Sequence, residues 1–422
     1  MVLITMQITY NKNFRLMLTW ASILALSILL SGCSTVNSLR MTRINADVTP
    51  IVGGESRVKL KSVYEGEKPY VYATVDGQEL LFLVDSGASF LILMDTPKVR
   101  RLKLERGFDL ALKGWGEEDK SAAYQTTVNK LELGDIYFED LGAALIPVSQ
   151  SQYFLRDDEA IFDGVIGHDL MRHFSWEFDA NVNDIVISTE PYQPVPNAQY
   201  LEFDTFLSKI SVKGSLAFNP SHSIEGEFLI DTGSRHYVKL STAYVDNNEL
   251  DIASARVRAA DFGLSGMVEH ERVTLPSLAL GDIHLNNVKV NLIPGDDEDD
   301  WWVIGNALMN QFKTIIDYKS DAFYLVPQAP FKTDYNLSGL ELRKVRSGEF
   351  VVRYVSPDLP ASELDIHVGD LVTSINGISS QKMTLAKYND IASVPGTQHI
   401  CIERAARCFE IGAEPIIGYS DF

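Results

Sequence analysis

The sequence predicts a mainly β protein made of two similar lobes and a smaller β-rich module after them. Three observations predict this: short apolar strands broken by Gly and Asp, an internal repeat in fixed order, and a change of pattern beyond about residue 330. The 422 residues give room for two or three cores, and 45% hydrophobic with 22% charged content is ordinary for a globular chain. The formal charge of −20 argues against a nucleic-acid partner, since nothing basic would offset the phosphates.

At the N-terminus, Lys12 and Arg15 precede an apolar stretch from Leu16 to Leu30 that ends in Ser31-Gly32-Cys33. Residues 1–32 read as a secretory signal, with Met6 as an alternative start, and the stretch is short for a membrane span of about 20 residues. The Leu30-Ser31-Gly32-Cys33 ending resembles that of bacterial lipoproteins, which implies a lipid anchor on Cys33. Ser34, rather than Asp, then implies an outer-membrane location facing the periplasm. Residues 33–55 are polar, lack periodicity and read as a tether.

The β pattern begins with Tyr70–Val75, turns at Asp76-Gly77 and returns through Glu79–Val84. Phe82-Leu83-Val84-Asp85-Ser86-Gly87 recurs 146 residues later as Phe228-Leu229-Ile230-Asp231-Thr232-Gly233. Leu131–Ile136 recurs as Leu278–Ile283 at an offset of 147, and Val165-Ile166-Gly167 with Phe178-Asp179 recurs as Val303-Ile304-Gly305 with Ile316-Asp317 at 138. Three landmarks in one order mean a duplicated domain, with lobes over 56–195 and 196–330.

A lone Asp-Ser/Thr-Gly is weak, because such triplets also make Asx turns. An apolar strand before each copy and a shared motif after it make the set specific. The set resembles the pepsin-like and retroviral-type aspartic peptidases, over about residues 56–330. The resemblance implies a bilobal aspartic-peptidase fold with duplicated β-barrel-like lobes, and Asp85 and Asp231 as the catalytic pair at the interlobe cleft. Two carboxylates within hydrogen-bond reach share a proton; one activates a water and the other protonates the oxyanion. Gly87 and Gly233 let backbone amides approach the acids, and the family implies that Ser86 and Thr232 brace the two loops. Ser234 offers a hydroxyl after Asp231 where Ala88 offers none after Asp85. This predicts Asp231 as the more acidic member and Asp85 as the holder of the proton. Gly114 and Gly116 in one lobe and Gly263 and Gly266 in the other are either the tips of paired flaps or two surface turns. The acidic run Asp296–Asp300 reads as a solvated loop. No His/Cys cluster has metal-ligand spacing, so neither metal nor other cofactor is expected.

Beyond 330, Ser338-Gly339-Leu340, Val355-Ser356-Pro357, Gly369-Asp370-Leu371 and Ile375-Asn376-Gly377 follow in order. This resembles the PDZ domains of bacterial periplasmic proteases and implies a PDZ-like domain over 331–415. Ser338, Gly339 and Leu340 would then be its carboxylate-binding loop, capturing protein C-termini; the alternative is a unit fixed against the peptidase. Cys401 and Cys408 face each other if their segment is a hairpin, as a disulfide in an oxidising compartment or as two buried thiols. The expectation is an envelope-anchored aspartic endopeptidase acting on polypeptides. The alternative is a non-catalytic lipoprotein scaffold using the cleft and the PDZ-like module for binding.

Overall fold

The computed structural model describes residues 36–116, 121–151, 153–154, 156–219, 221–295 and 302–416. The signal segment, Cys33 and the acidic run Asp296–Asp300 lie outside the described residues. The protein is mainly β, in two lobes joined by a shared sheet. At the joint, Ser175–Asp179 pairs antiparallel with Phe312–Asp317, so Ser175 faces Asp317 and Asp179 faces Lys313. These strands carry the third landmark of the repeat. On one flank lie Asp184–Ser188 and then Arg57–Leu60; on the other, Ala322–Pro327 and then Gln199–Phe206. The strand order reads the same outward from the centre, which is the sheet form of the duplication.

Each lobe then repeats one topology. In the first, Gln78–Val84 lies parallel to Gly164–Ile166, which is antiparallel to Ile92–Met94, itself parallel to Ile136–Ile146. In the second, His222–Asp231, Trp302–Gly305, Val238–Ser241 and Ile283–Ile293 make the same sequence of pairings. Each sheet curls back on itself: Ser121–Leu133 pairs with both Ile136–Ile146 and Lys68–Val75, and Gly266–Leu280 with both Ile283–Ile293 and Lys209–Asn219. The turns follow the residues that permit them. Asp76 and Gly77 both take positive φ in the predicted hairpin, and Gly134 and Gly281 take matching left-handed turns within the second landmark. Apolar residues before each Asp, including Phe82, Val84, Phe228 and Ile230, are fully buried. Each such side chain contributes about 1.5–3 kcal/mol of burial, which holds the motif loops on rigid supports.

Two expectations change. Residues 36–55 are not a free tether, because they carry anchors that dock on the first lobe. Met41 is buried, Asn45 bonds Gly142 through both its amide groups (2.9 Å each), and Ile51–Val52 pairs with Ile136 and Tyr137. The C-terminal module is a six-stranded sheet with the helix Leu385–Ala392 and its own core around Leu340, Phe350 and Tyr388. In the loop expected to capture a carboxylate, the Ser338 and Gly339 amides instead donate to Asn336 Oδ1, at 3.1 Å each. Tyr388 and Asn336 both donate to Leu340 O, at 2.7 Å each. Those groups are already satisfied within the chain. Cys401 and Cys408 stand opposite each other in a hairpin and are disulfide-bonded.

Candidate active site

Asp85 follows directly on the strand Gln78–Val84 and Asp231 ends the strand His222–Asp231, and the two loops meet across the lobe interface. Gly87 N donates to Asp85 Oδ1 at 2.8 Å, and Gly233 N to Asp231 Oδ1 at 2.9 Å. Each glycine also touches the other lobe's acid. A Cβ on Gly87 would stand 2.7 Å from Asp231 Cγ, and one on Gly233 2.3 Å from Asp85 Cγ. Both distances are far inside van der Waals contact, so only glycine lets the loops close on each other.

The hydroxyls one residue after each acid brace the loops reciprocally. Ser86 Oγ donates to Ile230 O (2.7 Å) and accepts from Thr232 N (3.0 Å). Thr232 Oγ1 donates to Val84 O (2.8 Å) and accepts from Ser86 N (3.0 Å). Both side chains are fully buried, so the four bonds form away from water and fix the separation of the acids. Behind each loop, Gly167 and Gly305 sit against the chain, with His168 N donating to Ala88 O and Asn306 N to Ser234 O.

The two acids face each other closely enough for each to act on the other's charge. Burial first, and the charge of Asp231 next, push the Asp85 carboxyl up to about 7, against the pull of Lys209 and Lys68. Asp85 therefore holds a proton through the acid and near-neutral range. The reason differs from that expected from sequence. The Ser234 hydroxyl, expected to bond to Asp231, sits on His236 Nδ1 at 3.0 Å.

Four predicted glycines converge above the dyad. Gly114 N donates to Ser265 Oγ (3.2 Å), Ser265 N to Trp115 O (3.0 Å), and Ser121 Oγ to Leu264 O (3.0 Å). A Cβ on Gly116 or Gly263 would strike the opposite tip at 2.2 and 2.0 Å. The tips of both hairpins thus close over the cleft from both lobes. Between them and the acids lies a cavity of about 460 Å³, lined by both dyad loops, both tips and apolar walls that include Leu83, Ile92, Val165 and Leu229.

Sequence reasoning did not find the polar network beside the second loop. His236 Nε2 and His270 Nε2 both face Asp261 Oδ2, at 2.9 and 3.0 Å, and Asn291 Nδ2 reaches His270 at 2.6 Å. Two imidazoles and a carboxylate could in principle ligate a metal. Here Arg235 and Arg272 already face Asp261 at 3.2 and 3.7 Å. Burial opposes ionisation of Asp261, but Arg235, His236 and Arg272 outweigh it and hold the carboxyl well below its usual range. Burial foremost also pushes His270 down to about 3. The positive charge that a metal would supply is already present, and a divalent ion would be repelled by both guanidiniums. The same arginines reach the C-terminal module, donating to Glu341 at 2.7 and 2.6 Å.

Lys68 and Lys209 were also missed, although the sequence carries a signal for them. Lys68-Pro69-Tyr70-Val71 and Lys209-Ile210-Ser211-Val212 stand on corresponding strands; Tyr70 and Ser211, each two residues after its lysine, pair with Leu83 and Leu229, each two residues before its acid. Following the repeat upstream of the motifs would have placed a lysine in each half of the cleft.

Residues 71–170 and 215–307 match a family model described as aspartyl protease; the first stretch contains Asp85 and the second Asp231. Among curated proteins, none matches the chain. Among solved structures, the crystal structure of aspartic proteinase from Irpex lacteus aligns over 65% of this chain and 98% of its own, with TM-score 0.43 and 13% identity.

Proposed function

We propose that this chain is an aspartic endopeptidase that cleaves polypeptides with a water activated between Asp85 and Asp231. The observation that carries the reading is the reciprocal construction of the pair. Each acid accepts its own loop's glycine amide, and each is contacted by the other lobe's glycine. Capping of a turn explains the first of these but not the second, which needs the two loops to face each other. Asp85 holds the shared proton and donates it to the substrate carbonyl oxygen. Asp231 takes a proton from the water whose oxygen bonds the carbonyl carbon. Collapse of the tetrahedral intermediate returns the carbonyl and sends a proton to the leaving amine. The closed tips exclude bulk water from this exchange.

An envelope location, with a lipid on Cys33 and the protein facing the periplasm, rests on the N-terminal motif. The disulfide Cys401–Cys408 supports an oxidising compartment. The C-terminal module, read as PDZ-like, acts as a fixed part of the cleft wall. Its carboxylate loop is filled by Asn336, and Glu341 ties it to the second lobe.

A pepstatin-sensitive cleavage assay tests the proposal, comparing wild type with Asp85→Asn and Asp231→Asn. Each variant should lose on the order of 10²–10⁴-fold in kcat. Equal processing by all three proteins would refute the peptidase and leave the scaffold reading.

A further inference from the structure

Where the main cavity runs toward the C-terminal module it meets a second, smaller cavity of about 50 Å³, and the two share Lys68, Tyr153, Arg235 and Phe262. The small cavity is rich in cations, and most of them are matched. Arg235 is paired with Glu341, Arg353 with Glu159, and Lys344 faces Glu65. Two remain. Lys68 Nζ and Arg343 Nη2 both donate to the hydroxyl oxygen of Tyr153, at 3.3 and 2.5 Å. Among the described residues neither has a carboxylate within ion-pair distance. Lys68 and Tyr153 are each more than nine-tenths buried, and the Arg343 guanidinium lies over the Tyr153 ring at 4.1 Å.

Holding two cations on one phenol oxygen is costly without an anion to compensate. Burial opposes ionisation of Tyr153, but Arg343 and Lys68 outweigh it and bring its hydroxyl down to about 7. The field at this point is therefore strongly positive, in a chain whose net charge is −20. A carboxylate entering from the dyad cavity would meet an ammonium and a guanidinium, both able to donate, and below about pH 7 a phenolic O–H as well. Lys68 and Tyr153 come from the first lobe and Arg343 from the C-terminal module, so the module completes the cleft.

We infer that Lys68, Tyr153 and Arg343 form a carboxylate-binding subsite at the module end of the cleft, so that the favoured substrate carries a carboxylate at a fixed distance from the cleaved bond. The inference rests on the peptidase reading for its substrate, and its geometry can be tested apart from catalysis. The carboxylate has two possible sources, an Asp or Glu side chain or the chain's own C-terminus.

A synthetic library of randomised short peptides, made once with free and once with amidated C-termini, separates them. Wild-type protein should cleave peptides with Asp or Glu at one fixed position by about tenfold or more over their amide counterparts, in both libraries, if side chains are the source. If the chain end is the source, the enrichment should appear only with free C-termini, at a fixed distance from the last residue. Arg343→Gln should bring either preference toward one, and Arg343→Glu should replace it with a preference for Lys or Arg, a gain that misfolding cannot mimic. The same libraries are titrated for binding to the full chain carrying Asp231→Asn. If wild type cleaves nothing, the peptidase reading fails, while carboxylate-dependent binding still supports the subsite. Cleavage or binding indifferent to carboxylates in both libraries overturns it.

Discussion

The loops that follow the two acids begin alike and then part. Asp85-Ser86-Gly87 continues as Ala88-Ser89-Phe90; Asp231-Thr232-Gly233 continues as Ser234-Arg235-His236. Through the third residue the contacts are near mirror images, down to the glycine that touches the opposite carboxylate. After it, the first loop turns into apolar packing, with Phe90 against the first-lobe core and Ser89 bonded to Ser208 at 2.7 Å. The second becomes ionic, reaching Asp261 within its own lobe and Glu341 of the C-terminal module. The difference teaches where duplication is constrained. Geometry that sets the separation of two acids is kept in both copies, while residues just beyond it attach one lobe to the third module.

The two hairpins over the cleft show the same contrast. The second-lobe hairpin is braced by the module: Arg353 lies over the Phe262 ring at 3.5 Å, Tyr354 donates to Glu269 at 2.8 Å, and Arg258 bonds Asp358. The first-lobe strand Asp109–Leu112 pairs with its own hairpin partner, and its tip is held by the opposite tip.

The most severe way to break the comparison is at its shared part. Gly87→Ala and Gly233→Ala should each force the carboxylates apart and cost about 10²-fold or more in kcat/KM, with circular dichroism unchanged. Full activity in either would show that the loops do not touch. At the point of divergence, Glu341→Gln removes one of the two carboxylates that Arg235 and Arg272 face and should destabilise docking of the module by about 3 kcal/mol in urea unfolding. Ser89→Ala, at the equivalent place in the first loop, removes a single neutral hydrogen bond worth about 1 kcal/mol. Equal losses would erase the distinction. Hydrogen exchange should find amides of 109–116 opening faster than those of 257–263, since fewer contacts restrain them. The smallest effect is Ser234→Ala, which should move the alkaline limb of the pH–rate profile by less than about 0.5 unit, because the hydroxyl serves His236.

Much of the site was legible because its chemistry lies in short contiguous motifs. Asp85, Asp231, the bracing hydroxyls and the glycines each sit within three residues of one another, and the repeat announced that they belong together. The glycine pairs at similar distances from each acid were legible as flap tips or as surface turns alike, and only the fold brings them together over the cleft. The network at Asp261 was not, because His236, Asp261, His270, Asn291 and Glu341 come from five separate stretches. Only the fold brings their charges into one dielectric. Docking of residues 36–55 was equally hidden. Met41 and Asn45 are isolated anchors in a polar stretch, and neither gives the periodicity by which packed elements are recognised.

The inequality of the pair also has a definite sign. Asp85 has a folded-state pKa above its ordinary value. Between about pH 4 and 7 the folded chain keeps a proton that the unfolded chain has released, so this group's contribution to stability declines as pH rises through that window. In the proposed mechanism its proton is also the one given to the substrate. The most direct measurement is therefore the pH dependence of kcat/KM on a cleaved peptide. A pair with its proton on a buried Asp85 predicts activity sustained through the acid range and lost as pH rises through about 7. Activity already lost as pH rises through about 5, as for a more exposed acid pair, would contradict it.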